Sequence, residues 1–409
     1  MTYGLIGRPL SHSYSPQIHK LLTGCEYSLF DLPEREVAAF IRRPDIGGLN
    51  VTIPYKQTVV PLCDALSPEA ARIGSVNTLV YGPDRRITGH NTDYEGFRRM
   101  LLGAGLDPRG QRAAVLGNGG AARTVRAVLR DMGAAEILTL SRTPGPDTVS
   151  YADTAALAQT ELVVNTTPVG MYPHCPDQPV SLSAFPRCRG FADLIYNPLR
   201  TALCFEAEER GIPRCSGLTM LVEQARAAAE LFFGAPIPPE RGREALQTLQ
   251  KQQTNIVLIG MPGCGKSTVG RKLAEALGRP FVDLDQEVAR ASGKSVPDLF
   301  AAGGEKLFRR WERQTAEEWG KKAGLVIAAG GGVVTDPANY RPLKQNGVLV
   351  FLRRPVEKLA TRGRPLSQGG DLAEMYARRL PLYLAFRDLE ADNDRPVEET
   401  VEELKEMFR

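Results

Sequence analysis

The chain has 409 residues, 43% of them hydrophobic and 24% charged, a size and balance that predict two or three domains with ordinary buried cores. Its formal net charge of +4 is small and dispersed, which argues against a nucleic-acid partner and suits anionic small ligands. Seven cysteines at 25, 63, 175, 188, 204, 215 and 264 form no C-x-x-C pair, and the four histidines form no H-x-x-x-H pair, so no zinc site, disulfide framework or imidazole-held metal is expected.

From the N-terminus, MTYGLIGRPLSHSYSP lacks the basic-then-apolar pattern of a signal peptide. No apolar run approaches the ~20 residues that span a bilayer, so a cytoplasmic chain with no membrane partner is expected. Strand-like runs follow at Tyr3–Ile6, Gly48–Ile53, Ala113–Leu116, Glu136–Leu140 and Glu161–Asn165, then at Asn255–Ile259, Gly324–Ala328 and Gly347–Leu352. Helical stretches alternate with them, among them Ala121–Met132, Leu218–Phe233 and Thr268–Leu277. Such alternation predicts α/β layers with largely parallel sheets. GLDPRG at 105–110 marks a weak break. Gly234–Asn255, opening with GAPIPPERGR and continuing as the Gln-rich EALQTLQKQQTN, reads as a partly helical linker. No internal repeat is present, because the two halves carry different phosphate-binding loops.

The first half carries His12-Ser13-Tyr14-Ser15-Pro16, Asn50-Val51-Thr52-Ile53-Pro54-Tyr55-Lys56, Ser75-Val76-Asn77-Thr78 and Gly89-His90-Asn91-Thr92-Asp93. Each alone reads as turn or cap chemistry. Together their hydroxyls, amides, one Lys and one Asp suit a polyhydroxylated acid. Gly117-Asn118-Gly119-Gly120-Ala121-Ala122 follows a strand and opens a helix, a dinucleotide-site signal that departs from G-x-G-x-x-G at Ala122. The next strand ends in Ser141-Arg142-Thr143, where NAD enzymes place an acidic residue; Arg142 suits the 2′-phosphate of NADP, or is an exposed loop cation. Pro-Gly-Pro follows, so only one cation is offered there.

In the second half, Gly260-Met261-Pro262-Gly263-Cys264-Gly265-Lys266-Ser267 fits G-x-x-x-x-G-K-[ST] between a strand and a helix that continues with Thr268. Its backbone N–H groups can curl around phosphates, Lys266 can reach the β/γ-phosphates, and Ser267 can serve Mg²⁺. In PFVDLDQEV, Asp283 and Asp285 are spaced to face one side of an extended chain. Then come Gly304-Glu-Lys-Leu-Phe-Arg309-Arg-Trp-Glu312, and Gly330-Gly331-Gly332 at a strand end, where a ligand is expected to approach backbone. Arg362-Gly-Arg364-Pro-Leu lies in a Gly-rich stretch that reads as a lid, and Arg379-Leu-Pro-Leu-Tyr follows.

In their order these second-half motifs resemble shikimate kinases over 254–409. The first half resembles shikimate dehydrogenases over roughly 3–230, through H-S-x-S-P, N-V-T-x-P-x-K, V-N-T, N-T-D, G-x-G-G-A-A, N-T-T-P-x-G-M, Y-N-P and G-x-x-M-L-x-x-Q. The resemblance implies a two-lobed dehydrogenase with a Rossmann-like NADP lobe, followed by a P-loop kinase with a parallel, nucleoside-monophosphate-kinase-like sheet and a lid. The implied bounds are a dehydrogenase at 1–236, with a substrate lobe at about 1–105 plus 217–236 and an NADP lobe at about 106–216. A linker at 237–253 and a kinase at 254–409 follow.

The resemblance further implies reduction of 3-dehydroshikimate to shikimate with NADP(H), then phosphorylation of shikimate to shikimate 3-phosphate with ATP and Mg²⁺. By it, Ser13, Ser15, Thr52, Asn77, Asp93, Tyr196 and Gln224 bind substrate, and Lys56 and Asp93 form the catalytic pair. Gly117, Asn118, Gly119, Gly120, Ala121, Ser141, Arg142, Thr143, Leu194 and Gly217 line the NADP(H) site, with Asn118 where the family usually has Ala. In the kinase, Asp285, Arg309, Gly331 and Arg379 bind shikimate, and Ser267 and Asp283 serve Mg²⁺. Gly263, Cys264, Gly265, Lys266, Ser267 and Thr268 cradle ATP, Arg395 contacts adenine, and Lys266, Asp285 and Arg364 act in phosphoryl transfer. Two alternatives stand beside this reading: an NAD-preferring quinate/shikimate dehydrogenase, and a pairing in which one half is a non-catalytic module. The sequence carries no signal for an oligomeric state.

Overall fold

A computed structural model describes residues 1–10, 13–143, 145–359 and 372–409. The chain divides into two compact units. One comprises Met1–Gly170, Asp177–Tyr196 and Ala202–Thr248; the other comprises Met171–Pro176, Asn197–Thr201 and Leu249–Arg409.

The first unit holds two sheets. The first contains β1 (Thr2–Gly7), β2 (Ser28–Asp31), β3 (Ile46–Val51), β4 (Ala65–Leu66), β5 (Thr78–Tyr81) and β6 (Ile87–His90) in the order β2-β1-β3-β5-β6-β4. β1 runs parallel to β2 and β3, with Leu5 opposite Leu29 and Asn50. β5 runs antiparallel to both β3 and β6, so this sheet is mixed rather than largely parallel. The reason is local. β5 and β6 are joined by a short turn in which Arg85 takes φ 64°, and a short turn can connect only antiparallel neighbours. Ile6, Ile46, Leu49, Leu79 and Ile87 are fully buried beneath the sheet. The expected run to Ile53 stops at Val51: Tyr55 N bonds back to Thr52 O at 2.9 Å, and Ile53 lies in the turn, exposed.

The second sheet contains β7 (Arg112–Leu116), β8 (Glu136–Ser141), β9 (Val149–Ser150), β10 (Leu162–Asn165), β11 (Gly190–Asp193) and β12 (Arg214–Ser216) in the order β12-β11-β10-β7-β8-β9, all parallel. β8 and β10 flank β7 on opposite sides, so the loop leaving β7 sits at a topological switch point, where such sheets bind ligands. The Gly217–Phe233 helix then packs back on Thr92–Gly103. Gly96 permits that approach, since a methyl there would come within 2.7 Å of Gln224 Cβ.

The second unit is built on β13 (Asn255–Ile259), β14 (Phe281–Asp283), β15 (Val326–Ala328), β16 (Gly347–Arg353) and β17 (Leu389–Asp392), in the parallel order β14-β15-β13-β16-β17. The central β13 is buried at every position, as expected of a strand covered on both faces. The Val296–Gly320 helix is broken at Gly303 and Gly304, where Gly304 takes φ 66° and ψ −164°. Pro239–Gln253 forms one continuous helix. Among the described residues no helix is long and apolar enough to cross a membrane.

Candidate active sites

In the first unit Lys56 Nζ donates to Asp93 Oδ2 at 2.6 Å, with the side chains 30% and 21% exposed. Lys56 follows the turn that ends β3. Asp93 lies in the first turn of Thr92–Gly103, where a carboxylate complements the helix dipole. Val76 N bonds to Lys56 O at 2.8 Å, tying the Lys56 segment to the one that bears Asn77. Asn77 Oδ1 accepts from Thr92 N at 2.7 Å, Thr92 Oγ1 at 3.1 Å and Thr78 Oγ1 at 3.0 Å. Its amide nitrogen makes no hydrogen bond among the described residues and is the group that can donate to a ligand. Thr92 Oγ1 also lies 3.5 Å from Gln224 Oε1, so Asn77, Asp93 and Gln224 gather around one helix start. Thr92 belongs to the N-T-D run but had no role read from it; its buried hydroxyl joins these groups.

Ser13 Oγ accepts from Ser15 N at 3.2 Å, at the start of the Ser15–Thr23 helix. Tyr196 meets Tyr14 edge-on at 6.1 Å, and burial pushes both phenols up. Thr52 N bonds to Ile6 O at 2.9 Å, at the end of β1. No hydrogen bond among the described residues joins Ser13, Ser15 or Tyr196 directly to Lys56.

The nucleotide lobe fits a dinucleotide. Gly117 takes φ 98°, a conformation that favours glycine, and a methyl there would meet Thr167 at 2.9 Å. At Gly119 and Gly120, where the Gly120–Asp131 helix begins, a methyl would meet nothing within 4 Å. That open helix N-terminus is an anion cradle. Asn118 and Ala121 belong to the same loop and helix start. Ser141 Oγ accepts from Thr143 N at 3.2 Å, closing the turn that carries Arg142. A methyl on Gly217 would strike the Leu194 carbonyl, so these two predicted cofactor residues are in contact.

A cavity of about 480 Å³ lies on the first unit beside His90 and Arg99. The phosphate loop instead opens a cavity of about 330 Å³ that reaches Gly263, Gly265, Thr268, Asp285, Arg309 and Arg379. Lys266 Nζ donates to Gly260 O at 2.8 Å and Met261 O at 3.0 Å and lies 3.9 Å from buried Cys264 Sγ, so it rests on its own loop. Ser267 Oγ donates to Asp283 Oδ2 at 2.6 Å. This juxtaposed hydroxyl and carboxylate are hard oxygen donors that fit Mg²⁺.

Asp283 and Asp285 do not lie on one extended strand as expected. β14 ends at Asp283, which caps the Leu284–Ser292 helix: its Oδ1 accepts from Asp285 N at 3.1 Å and Gln286 N at 3.4 Å. An Asp before a helical run satisfies the orphan N–H groups better than a continued strand would. Both carboxylates nevertheless line the cavity.

Arg309 NH1 donates to Glu312 Oε2 at 2.6 Å, and its NH2 to Glu305 Oε1 at 2.9 Å. Arg379 is buried, and its NH1 donates to Gly331 O at 3.2 Å; Tyr383 Oη donates to the same carbonyl. Glu312 had no role read from the sequence, although its i,i+3 spacing from Arg309 signalled the pair. Its side chain is 1% exposed and its Oε1 has no hydrogen-bond partner among the described residues. Burial pushes the Glu312 carboxyl up to about 7; Arg309 opposes this and Asp285 adds to it.

The glycines at 330–332 were expected to admit a ligand to backbone. All three line the cavity beside the phosphate loop, and a methyl would meet Glu312 and Asp285 at Gly330, Pro262 at Gly331, and the Arg309 guanidinium at Gly332. Their smallness seats the charged side chains. Arg395 is ion-paired with Glu403 and does not line the cavity. Arg364 lies outside the described residues.

Three family descriptions match the chain: "Shikimate dehydrogenase substrate binding domain" at residues 5–79, "Shikimate 5'-dehydrogenase C-terminal domain" at 217–247 and "Shikimate kinase" at 262–409. The chain is 37% identical over 246 residues to a shikimate dehydrogenase (NADP(+)) of Clostridium beijerinckii, covering 56% of this chain and 91% of that protein. It is 44% identical over 142 residues to a shikimate kinase of a Synechococcus strain, covering 32% of this chain and 72% of that protein. Among solved structures it is similar to a shikimate 5-dehydrogenase of Thermus thermophilus in complex with NADP(H) and shikimate. That match has 32% identity and a TM-score of 0.55, and covers 61% of this chain and 99% of that one.

Proposed function

Because the chain belongs to the shikimate dehydrogenase family in its first part and to the shikimate kinase family in its last, we propose that it catalyses two successive reactions. The first is NADPH-dependent reduction of 3-dehydroshikimate to shikimate. The second is ATP-dependent phosphorylation of that shikimate to shikimate 3-phosphate. The chain is thus a bifunctional shikimate-pathway enzyme.

The 2.6 Å contact between Lys56 and Asp93 carries the first assignment. NADPH, when bound, supplies the hydride. Lys56 gives a proton to the substrate oxygen as the carbonyl is reduced, and Asp93 holds the ammonium in place. Asn77 and Gln224 donate to substrate hydroxyls from the same helix start. Gly117, Gly119 and Gly120 hold the dinucleotide phosphates, and Arg142 faces the 2′-phosphate.

The second assignment is supported by the cavity that combines phosphate loop, carboxylates and arginines. Arg309 and Arg379 pair with the shikimate carboxylate, as guanidinium forks do. Asp285 orients the attacking hydroxyl and accepts its proton. Lys266 offers positive charge to the transferring phosphoryl group. Mg²⁺, held by Ser267 and Asp283, would neutralise phosphate charge.

The test is a split assay on the purified full chain. One arm contains shikimate with NADP or NAD and is read as absorbance of reduced cofactor. The other contains shikimate, ATP and Mg²⁺ and is read as ADP release. Activity in both arms with NADP preferred is the expected result. NAD preference with quinate turnover would replace the first assignment by a quinate/shikimate dehydrogenase. ADP release alone would remove it.

A further inference from the structure

The turn after β8 offers a nucleotide one cation, Arg142, because Pro144-Gly145-Pro146 follows Thr143. A different element brings another. Arg126 lies two turns into the Gly120–Asp131 helix, and its NH1 donates to Asn118 Oδ1 at 3.1 Å and to Thr139 Oγ1 at 3.1 Å. Asn118 is the residue between Gly117 and Gly119 in the phosphate loop. Thr139 precedes Ser141 by two positions on β8, so both point to one face of the strand. One guanidinium therefore ties the loop expected to hold the pyrophosphate to the strand end that presents Ser141-Arg142-Thr143.

The electrostatic setting matters as much as the position. Both partners of Arg126 are neutral, and among the described residues no ion pair reaches it. Burial, then Arg130 and Arg123, push its pKa down, with Asp147 opposing. A half-buried cation among other cations, bonded only to neutral groups, gains most from an arriving anion.

We propose that Arg126, anchored by Asn118, is the second cation of the adenosine 2′-phosphate pocket and sets the preference for NADP over NAD. The inference rests on the reading of the first unit as a nicotinamide-dinucleotide dehydrogenase. It also gives Asn118 a task that a smaller residue in that loop could not perform.

The experiment uses the full chain and compares wild type with Arg126→Met, Arg126→Lys and Asn118→Ala. Steady-state kinetics with shikimate give kcat/KM for NADP and for NAD, and calorimetry gives the affinities of 2′,5′-ADP and 5′-AMP. In Arg126→Met the NADP-to-NAD ratio of kcat/KM is expected to fall by roughly 10- to 100-fold, the loss of one charge-assisted hydrogen bond. Affinity for 2′,5′-ADP should fall in parallel and that for 5′-AMP much less. Arg126→Lys should keep most of the ratio, and Asn118→Ala should lie between. NADP and NAD falling together in Arg126→Met and Asn118→Ala, or a ratio unmoved in all variants, would make Arg126 a structural brace and overturn the proposal. A wild-type enzyme that itself prefers NAD would overturn it earlier, at the cofactor reading. Absence of any dehydrogenase activity, with 2′,5′-ADP still bound more tightly than 5′-AMP by wild type but not by Arg126→Met, would remove the reaction and leave the pocket.

Discussion

His19 is 1% exposed, stacked on Tyr27 with ring centroids 4.1 Å apart, and its Nδ1 has no hydrogen-bond partner among the described residues. Burial pushes its pKa down to about 4, against the influence of Asn50. In the unfolded chain the ring titrates near ~6.5. The unfolded state therefore takes up a proton that the folded state refuses. Stability is undiminished above about pH 6.5 and declines as pH falls toward 4, by about 3 kcal/mol in all. Urea unfolding at pH 7.5 and pH 5 should show about 2 kcal/mol of that loss in wild type and a smaller one in His19→Leu; equal losses would clear His19 of the effect. At the dehydrogenase site, Lys56→Met should lower kcat by about 10²- to 10⁴-fold, the usual worth of a general acid. Turnover near wild type would assign the proton to another group. In the kinase, Glu312 ionises as pH rises through about 7, which adds negative charge beside Arg309 and opposes a carboxylate substrate. KM for shikimate should rise across that range in wild type and stay flat in Glu312→Gln. A wild-type slope that survives in the variant would point to a different titrating group.

The broken Val296–Gly320 helix shows how an element aims such residues. Glu305, Arg309 and Glu312 follow the break at one helical spacing, so the angle set at Gly304 directs all three. Its φ of 66° with ψ of −164° is open only to glycine. Gly304→Ala should cost about 1–3 kcal/mol in urea unfolding and raise KM for shikimate more than KM for ATP. Equal changes in the two constants would mean that the break does not position Arg309. Much at this scale was legible beforehand. β13, the phosphate loop and the helix after it follow from one contiguous run, since strand, glycines and helix are neighbours in sequence. β11 and β12 were not singled out, because four and three residues are too few to display a period. Asp285 lies in the helix rather than on the strand because D-x-D fits both an extended run and a cap followed by a helix start, and only the hydrogen bonds of the helix decide between them. Arg126 and Asn118 are eight residues apart, and nothing in the local pattern brings them together; the packing of the helix on β8 does.

At the scale of the whole molecule, the α/β character read from alternating runs is what the three sheets display, and the mixed first sheet is the departure. Each unit contains its own candidate site. A chain of this kind should not unfold in one two-state step. In a calorimetric scan, NADP should raise one transition and ATP with Mg²⁺ another, each by the equivalent of about 2.7 kcal/mol at a hundredfold excess over Kd. A single transition raised by both ligands would mean that the units melt together.

The return of Gly217–Phe233 onto Thr92–Gly103 has a consequence for how the protein is made. Until that helix leaves the ribosome, Gln224 cannot meet Thr92, and the first site lacks one wall. Residues 234–409 follow that helix in sequence, and their translation takes roughly 9 to 35 seconds at about 5–20 residues per second. The nascent chain thus has time to close the first unit around its candidate site before translation of the second unit is finished.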